Sequence, residues 1–104
     1  MREASPELES FIDETIKLGA AKGYHPTSFI GMRQRHKTIN AISRLVTSGD
    51  IQSGLKRLVD LGLKDWTIEK AVAKFPGEFS REVREAAEWR LKQVEASDEN
   101  AHRT

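Results

Sequence analysis

The chain contains no cysteine. That excludes disulfides, thiolate metal sites and a cysteine nucleophile. Aromatic residues are few: two Trp, one Tyr and four Phe among 104 residues. Only three prolines punctuate the chain. No apolar run approaches the roughly 18 residues that a membrane-spanning helix needs. The N-terminal stretch Met1-Arg2-Glu3-Ala4-Ser5-Pro6 has no apolar signal core after its single Arg. We therefore expect a cytoplasmic protein with no membrane contact, no metal and no cofactor.

Catalytic patterns are also missing. The histidines are His25, His36 and His102, and no two of them have the i, i+4 spacing of a helical zinc site. There is no nucleophile elbow, no phosphate-binding P-loop and no dinucleotide fingerprint. The periodicity places no acidic residue on an apolar helix face, so carboxylates are not expected to converge in a pocket as a metal-dependent nuclease would require. The expectation is a non-enzymatic protein.

What the sequence does have is helical periodicity and charge. Charged residues make up 32% of the chain and apolar ones 38%, which implies a thin core under a charged surface. Ser5 and Pro6 form a good helix start, followed by Leu8, Phe11, Ile12 and Ile16 on one face and a stop at Gly23. Pro26 opens a short second helix with Phe29, Ile30 and Met32 inward, fraying around Arg35 to Lys37. Thr38 is the expected cap of a third helix carrying Ile39, Ile42, Leu45 and Val46. Thr47-Ser48-Gly49-Asp50 breaks it, with Asp50 as cap of the fourth helix, which carries Ile51, Leu55, Leu58 and Val59 and ends at Leu61-Gly62. Trp66 reads as a core plug. Thr67 caps a fifth helix with Ile68, Ala71, Val72 and Phe75 inside, ended by Pro76-Gly77. Ser80 caps the last helix, with Val83, Ala87, Arg90, Leu91 and Val94 along one side and Trp89 beside that stripe; its Ala86-Ala87 seam suits either core closure or a dimer contact.

No segment alternates with period two, so the fold class is all-α: a compact bundle of five to six short helices in a single domain over residues 1–96, followed by a disordered polar tail at 97–104.

The charge is unevenly distributed. Over residues 1–20, Glu3, Glu7, Glu9, Asp13 and Glu14 outweigh Arg2 and Lys17; over residues 33–60, cations outweigh acids. Such asymmetry fits either an anionic partner or an acidic helix packed against a basic one. The run Arg33-Gln34-Arg35-His36-Lys37 is the strongest binding candidate. Arg and Lys neutralise phosphates, Gln34 can meet a base edge, and the start of the third helix offers N–H donors. The competing reading is a solvated corner between two helices. Residues 38–61 also have the outline of a helix-turn-helix, which would bring Arg44, Gln52, Ser53, Lys56 and Arg57 to nucleic acid. Leu45 and Asp50 fit that motif poorly, and plain bundle packing gives the same outline.

One further pattern bears on function. Tyr24-x-Pro26-Thr27-x-Phe29-x-x-Met32, then Ala41-x-x-Arg44-Leu45-Val46, Ser53-Gly54-Leu55-x-x-Leu58-x-x-Leu61-Gly62-Leu63, and Thr67-Ile68-Glu69 before a closing amphipathic helix, resembles a small all-helical bacterial module of unassigned function. That module occurs alone or associated with restriction-type and other defence nucleases. The resemblance covers residues 23 to 92. It implies a helical fold and a nucleic-acid or defence context, and no catalytic residues. Members of the module carry a Gly-Gly or similar neutral turn before the third helix, where this chain has Arg35-His36-Lys37, so the basic corner is particular to this sequence. The leading expectation is a nucleic-acid-associated binding module. The alternative is an adaptor or inhibitor that docks on a larger protein through leftover apolar residues such as Trp89, Phe79 or Tyr24.

Overall fold

The computed structural model describes residues 3–48 and 53–103, with side chains described for 3–48 and 55–94. Six α-helices are present among the described residues: α1 (Pro6–Ala21), α2 (Thr27–His36), α3 (Thr38–Val46), α4 (Ser53–Asp60), α5 (Ile68–Lys74) and α6 (Arg81–Arg103), with one 3-10 turn at Pro76–Glu78. The protein is an all-α bundle, and no described helix is long and apolar enough to cross a membrane. The pair expected at 38–61 is present as α3 and α4. Gly49, Asp50, Ile51 and Gln52 lie outside the described residues, and the expected Asp50 cap with them. The bounds of α6 run on to Arg103, through most of the polar stretch assigned by composition to the tail.

Local chemistry sets most helix ends. Ser5 Oγ accepts from the Leu8 N–H at 3.1 Å, and both the Ser5 N–H and hydroxyl donate to the Glu78 carboxylate at 2.7 Å. The start of α1 is thereby tied to the turn after α5. Thr67 Oγ1 and Ser80 Oγ accept from the N–H groups of Lys70 and Val83. These are the bonds that make Ser and Thr good caps. At the end of α1, Gly23 takes φ +86, and the N–H groups of Gly23 and Tyr24 close onto the carbonyls of Ala20 and Gly19. This paired ending needs a left-handed residue, which glycine adopts without steric cost. The end of α4 at Gly62 repeats it.

The core is built from one face of each helix. Leu8 and Ile12 of α1, Ile42 and Val46 of α3 and Val72 of α5 are almost wholly buried, joined by Phe29, Phe79, Val83 and Ala87. The α2–α3 hairpin forms one close contact and α5–α6 the other, with α3 bridging to α5 and α6. Trp66 stacks on Phe11 at 5.0 Å between ring centroids, and Phe75 meets the same ring edge-on. Trp66, expected as a core plug, packs against the core through Phe11 but, like Ile30 and Met32, is only half-buried. Phe79, expected as a leftover surface residue, is 3% exposed and belongs to the core.

Two charged residues occupy this interior. Arg90 of α6 donates from Nε to the Val46 carbonyl and from Nη2 to the Ser48 carbonyl, both at 2.7 Å. A cation at the end of α3 is favoured by the helix dipole and by carbonyls that lack intrahelical partners. Glu69 of α5 is 1% exposed, with Oε2 3.8 Å from Arg90 Nη1. This corrects the expectation that no acidic residue faces the core. Glu69 sits two residues after the Thr67 cap, a place where acids are usual on exposed surfaces, but packing turns this first-turn position inward.

Burial pushes the Glu69 carboxyl above its ordinary 4.5, and its own backbone N–H and the Arg90 charge pull it back only in part. With the folded value raised, the unfolded chain releases its proton first. Stability from this group is therefore present below pH 4.5 and declines as pH rises through the folded value. The expected outcome is that Glu69→Gln removes this decline. Urea unfolding at pH values from roughly 4 to 8 should show the variant gaining on wild type as pH rises and then levelling off; a pH-independent difference would refute the shift.

Candidate nucleic-acid interface

The basic corner begins as a problem of chain direction. Lys37 closes α2, its N–H donating to the Arg33 carbonyl at 2.8 Å, and also opens α3, its carbonyl accepting from Ala41 at 3.0 Å. One residue must therefore reverse the chain between two helices. It does so at φ 69 and ψ 170, and among the described residues it is the non-glycine with positive φ. This region of backbone space is nearly reserved for glycine and costs a side-chain-bearing residue of order 1–3 kcal/mol. Lys37 is also the N-cap, without a side-chain capping bond. Thr38, expected to cap α3, is instead its first residue, and its hydroxyl serves a different purpose.

That purpose is a polar knot joining α1, α2 and α3. Glu9 and Asp13 lie four residues apart and so share a face of α1. Arg33 donates from Nη2 to Glu9 at 2.9 Å, from Nη1 to Asp13 at 2.8 Å and from Nε to Thr38 Oγ1 at 2.9 Å. The Thr38 hydroxyl in turn donates to Glu9 Oε1, closing the ring. The Arg33 side chain is 19% exposed. Partial burial lowers its pKa, but the hydrogen bonds and charges of Glu9 and Asp13 outweigh that and raise it overall. The acidic helix thus packs against part of the basic segment.

The other sequence-predicted residues fare differently. Gln34 and Arg35 are exposed at the end of α2, Arg44 on α3, and Lys56 and Arg57 on α4. Among the described residues Arg35, Arg44, Lys56 and Arg57 form no ion pair. Lys37 Nζ stands 3.6 Å from Glu3, with both side chains largely in solvent, a pairing worth little. Gln34, Arg33 and Lys37 line one open depression together with Glu3, Glu9 and Thr38; Arg35, Arg44, Lys56 and Arg57 lie outside it. The side chain of Ser53 and all of Gln52 lie outside the described residues. The acidic helix packed against a basic one, one of the two readings of the charge asymmetry, is realised at Arg33 by Glu9 and Asp13 and favours the protein-docking alternative at that residue; Thr38 is the partner that the sequence did not single out. The signal for the two carboxylates was the acidic excess of α1 and their four-residue spacing. No group of three or more metal-ligating side chains gathers among the described residues.

Comparison with known protein families, with curated proteins and with solved structures finds no match to this chain.

Arg33→Ala should loosen the fold at this knot. Two charge-assisted bonds, partly screened by solvent, give an expected loss of about 1–2 kcal/mol, or roughly 5–15 °C in the thermal midpoint. Circular dichroism melting checks it, and Arg35→Ala, without such partners, should melt as wild type does.

Proposed function

We propose that the protein is a non-enzymatic binding module for nucleic acid, and that its phosphate contacts come from Arg35, Lys37, Arg44, Lys56 and Arg57. Arg33, engaged by Glu9, Asp13 and Thr38, acts as scaffold for the corner. Gln34, exposed beside Arg35, is the candidate for a base edge. One observation carries this reading: the junction between α2 and α3 holds a lysine where the backbone calls for glycine. Strained backbone of this kind persists where the side chain has a task, and here the side chain supplies an exposed positive charge beside Arg35 and the start of α3. The resemblance to a helical module found beside restriction-type nucleases supports a nucleic-acid setting within bacterial defence.

The strain makes the reading testable, because stability and binding should respond in opposite directions. Lys37→Gly relieves the backbone and should raise the thermal midpoint by several degrees, an effect of about 1 kcal/mol. The same change should weaken binding to a labelled duplex or single strand, followed by fluorescence anisotropy at low salt. Each cation that meets a phosphate adds about −0.9 to the slope of log affinity against log salt, so the full set gives roughly −4 to −5 on duplex. Undiminished binding by Lys37→Gly, or no binding of wild type to either strand form at low salt, would overturn the proposal.

A second reading, docking on a larger protein, is favoured by Trp89, which lies 54% exposed on α6. An exposed Trp is the kind of anchor that protein interfaces use. Under that reading Trp89→Ala abolishes partner capture while duplex binding is absent in wild type as well.

A further inference from the structure

Residues 15–49 contain no Asp or Glu, although the whole chain carries 16. The same stretch holds Lys17, Lys22, Arg33, Arg35, Lys37 and Arg44. Acid reaches it from α1 and the segment before it, where Glu9 and Asp13 hold Arg33 and Glu3 lies 3.6 Å from Lys37. The Glu3 pairing is exposed and yields cheaply to a phosphate.

Within this stretch α3 sorts its residues by side. Ala41, Ile42 and Val46 are buried and seat the helix, which packs on α2, α5 and α6. On the other side Lys37, Asn40, Arg44 and Thr47 are exposed at three- and four-residue spacing, which lines them up as one stripe. The stripe is basic at two places and carries no acid. Asn40 stands between the two cations, in the first turn of α3. Its amide makes no hydrogen bond among the described residues, whereas the neighbouring Thr38 hydroxyl is engaged by Arg33 and Glu9.

This spacing suits one form of nucleic acid. A helix rises about 1.5 Å per residue, so Lys37 and Arg44 stand roughly 10 Å apart along the axis, close to the ~12 Å width of the major groove of B-form DNA. Cations at that separation can reach phosphates on both sides of the groove while the residue between them meets base edges. An Asn amide donates and accepts at once, and adenine offers the matching pair in the major groove, the N7 acceptor and the N6 donor. Helices that enter the groove bring their N-terminal residues to the bases, which is where Asn40 lies. Single strands are held by aromatic stacking platforms, and the stripe has no aromatic residue. The major groove of an RNA duplex is too deep and narrow for side chains to read.

We infer that α3 enters the major groove of double-stranded DNA, with Asn40 paired to an adenine and with Lys37 and Arg44 on phosphates to either side, an assignment that rests on the nucleic-acid reading proposed above.

The test offers the full chain a duplex DNA pool with a randomised centre and sequences what is retained. One adenine position should be enriched about tenfold or more over the other bases, within the range of one bidentate pair. Asn40→Ala changes an exposed helix residue to the best helix former, so it should melt no lower than wild type. It should keep the salt dependence of duplex binding and lose the adenine preference. Replacing that adenine by 7-deazaadenine, which lacks N7, should weaken binding of wild type about tenfold and leave Asn40→Ala unaffected. Arg44→Ala should make the salt slope shallower by about one and keep the preference. Salt-dependent duplex binding without any enriched base overturns the inference and leaves the binding-module reading standing. So does a preference that survives Asn40→Ala or 7-deazaadenine, or tighter binding of the single strand or of the RNA duplex of the same sequence. Absence of binding to all of these nucleic acids overturns both.

Discussion

Arg90 places a full positive charge inside a bundle whose core is thin, and the arrangement of α3, α5 and α6 depends on how that charge is satisfied. Its guanidinium fork reaches across to the carbonyls of Val46 and Ser48, where α3 ends. The carbonyls of a helix end need donors, and the accumulated peptide dipole favours a cation there. The same fork faces Glu69 from α5. Three helices thus converge on one side chain, with polar geometry where a larger protein would use more apolar area.

A second polar knot does comparable work at the opposite side of the sequence. Arg33, Glu9, Asp13 and Thr38 join α1 to the α2–α3 corner, but at half-exposed positions where solvent weakens every term. The two knots differ in what they leave over. The buried one exposes no charge. The half-exposed one uses a single cation from the basic segment and leaves Arg35 and Lys37 in solvent, on a backbone that holds Lys37 against its preference. Structure and proposed binding therefore divide the basic run residue by residue.

Much of the fold was legible because helix ends are local events. Ser5, Thr67 and Ser80 cap as expected, and Gly23 and Gly62 terminate α1 and α4, since each acts within one turn of its own position. Phe29, Val72 and Val83 fall in the core by helical spacing alone. Thr38 was misplaced by one residue because its hydroxyl had two partners, Arg33 and Glu9, that no local pattern announces. The fate of Phe79 was illegible for a related reason: it lies in a short connection, where periodicity says nothing about which way a side chain turns.

The sequence by itself determined an all-α chain, most of its helix boundaries, and the segregation of acid at one end from base in the middle. Only the tertiary structure decided which of those charges meet. Arg33 finds Asp13 twenty residues away, and Arg90 finds Val46 at a separation of forty-four. It also decided that Glu69 would be enclosed beside Arg90 and that Lys37 would turn a corner built for glycine. The physical reason is range. Caps, dipoles and helical periodicity act over a turn or so of chain, whereas burial and ion pairing depend on what packs nearby in space, which residues far apart in the chain settle together.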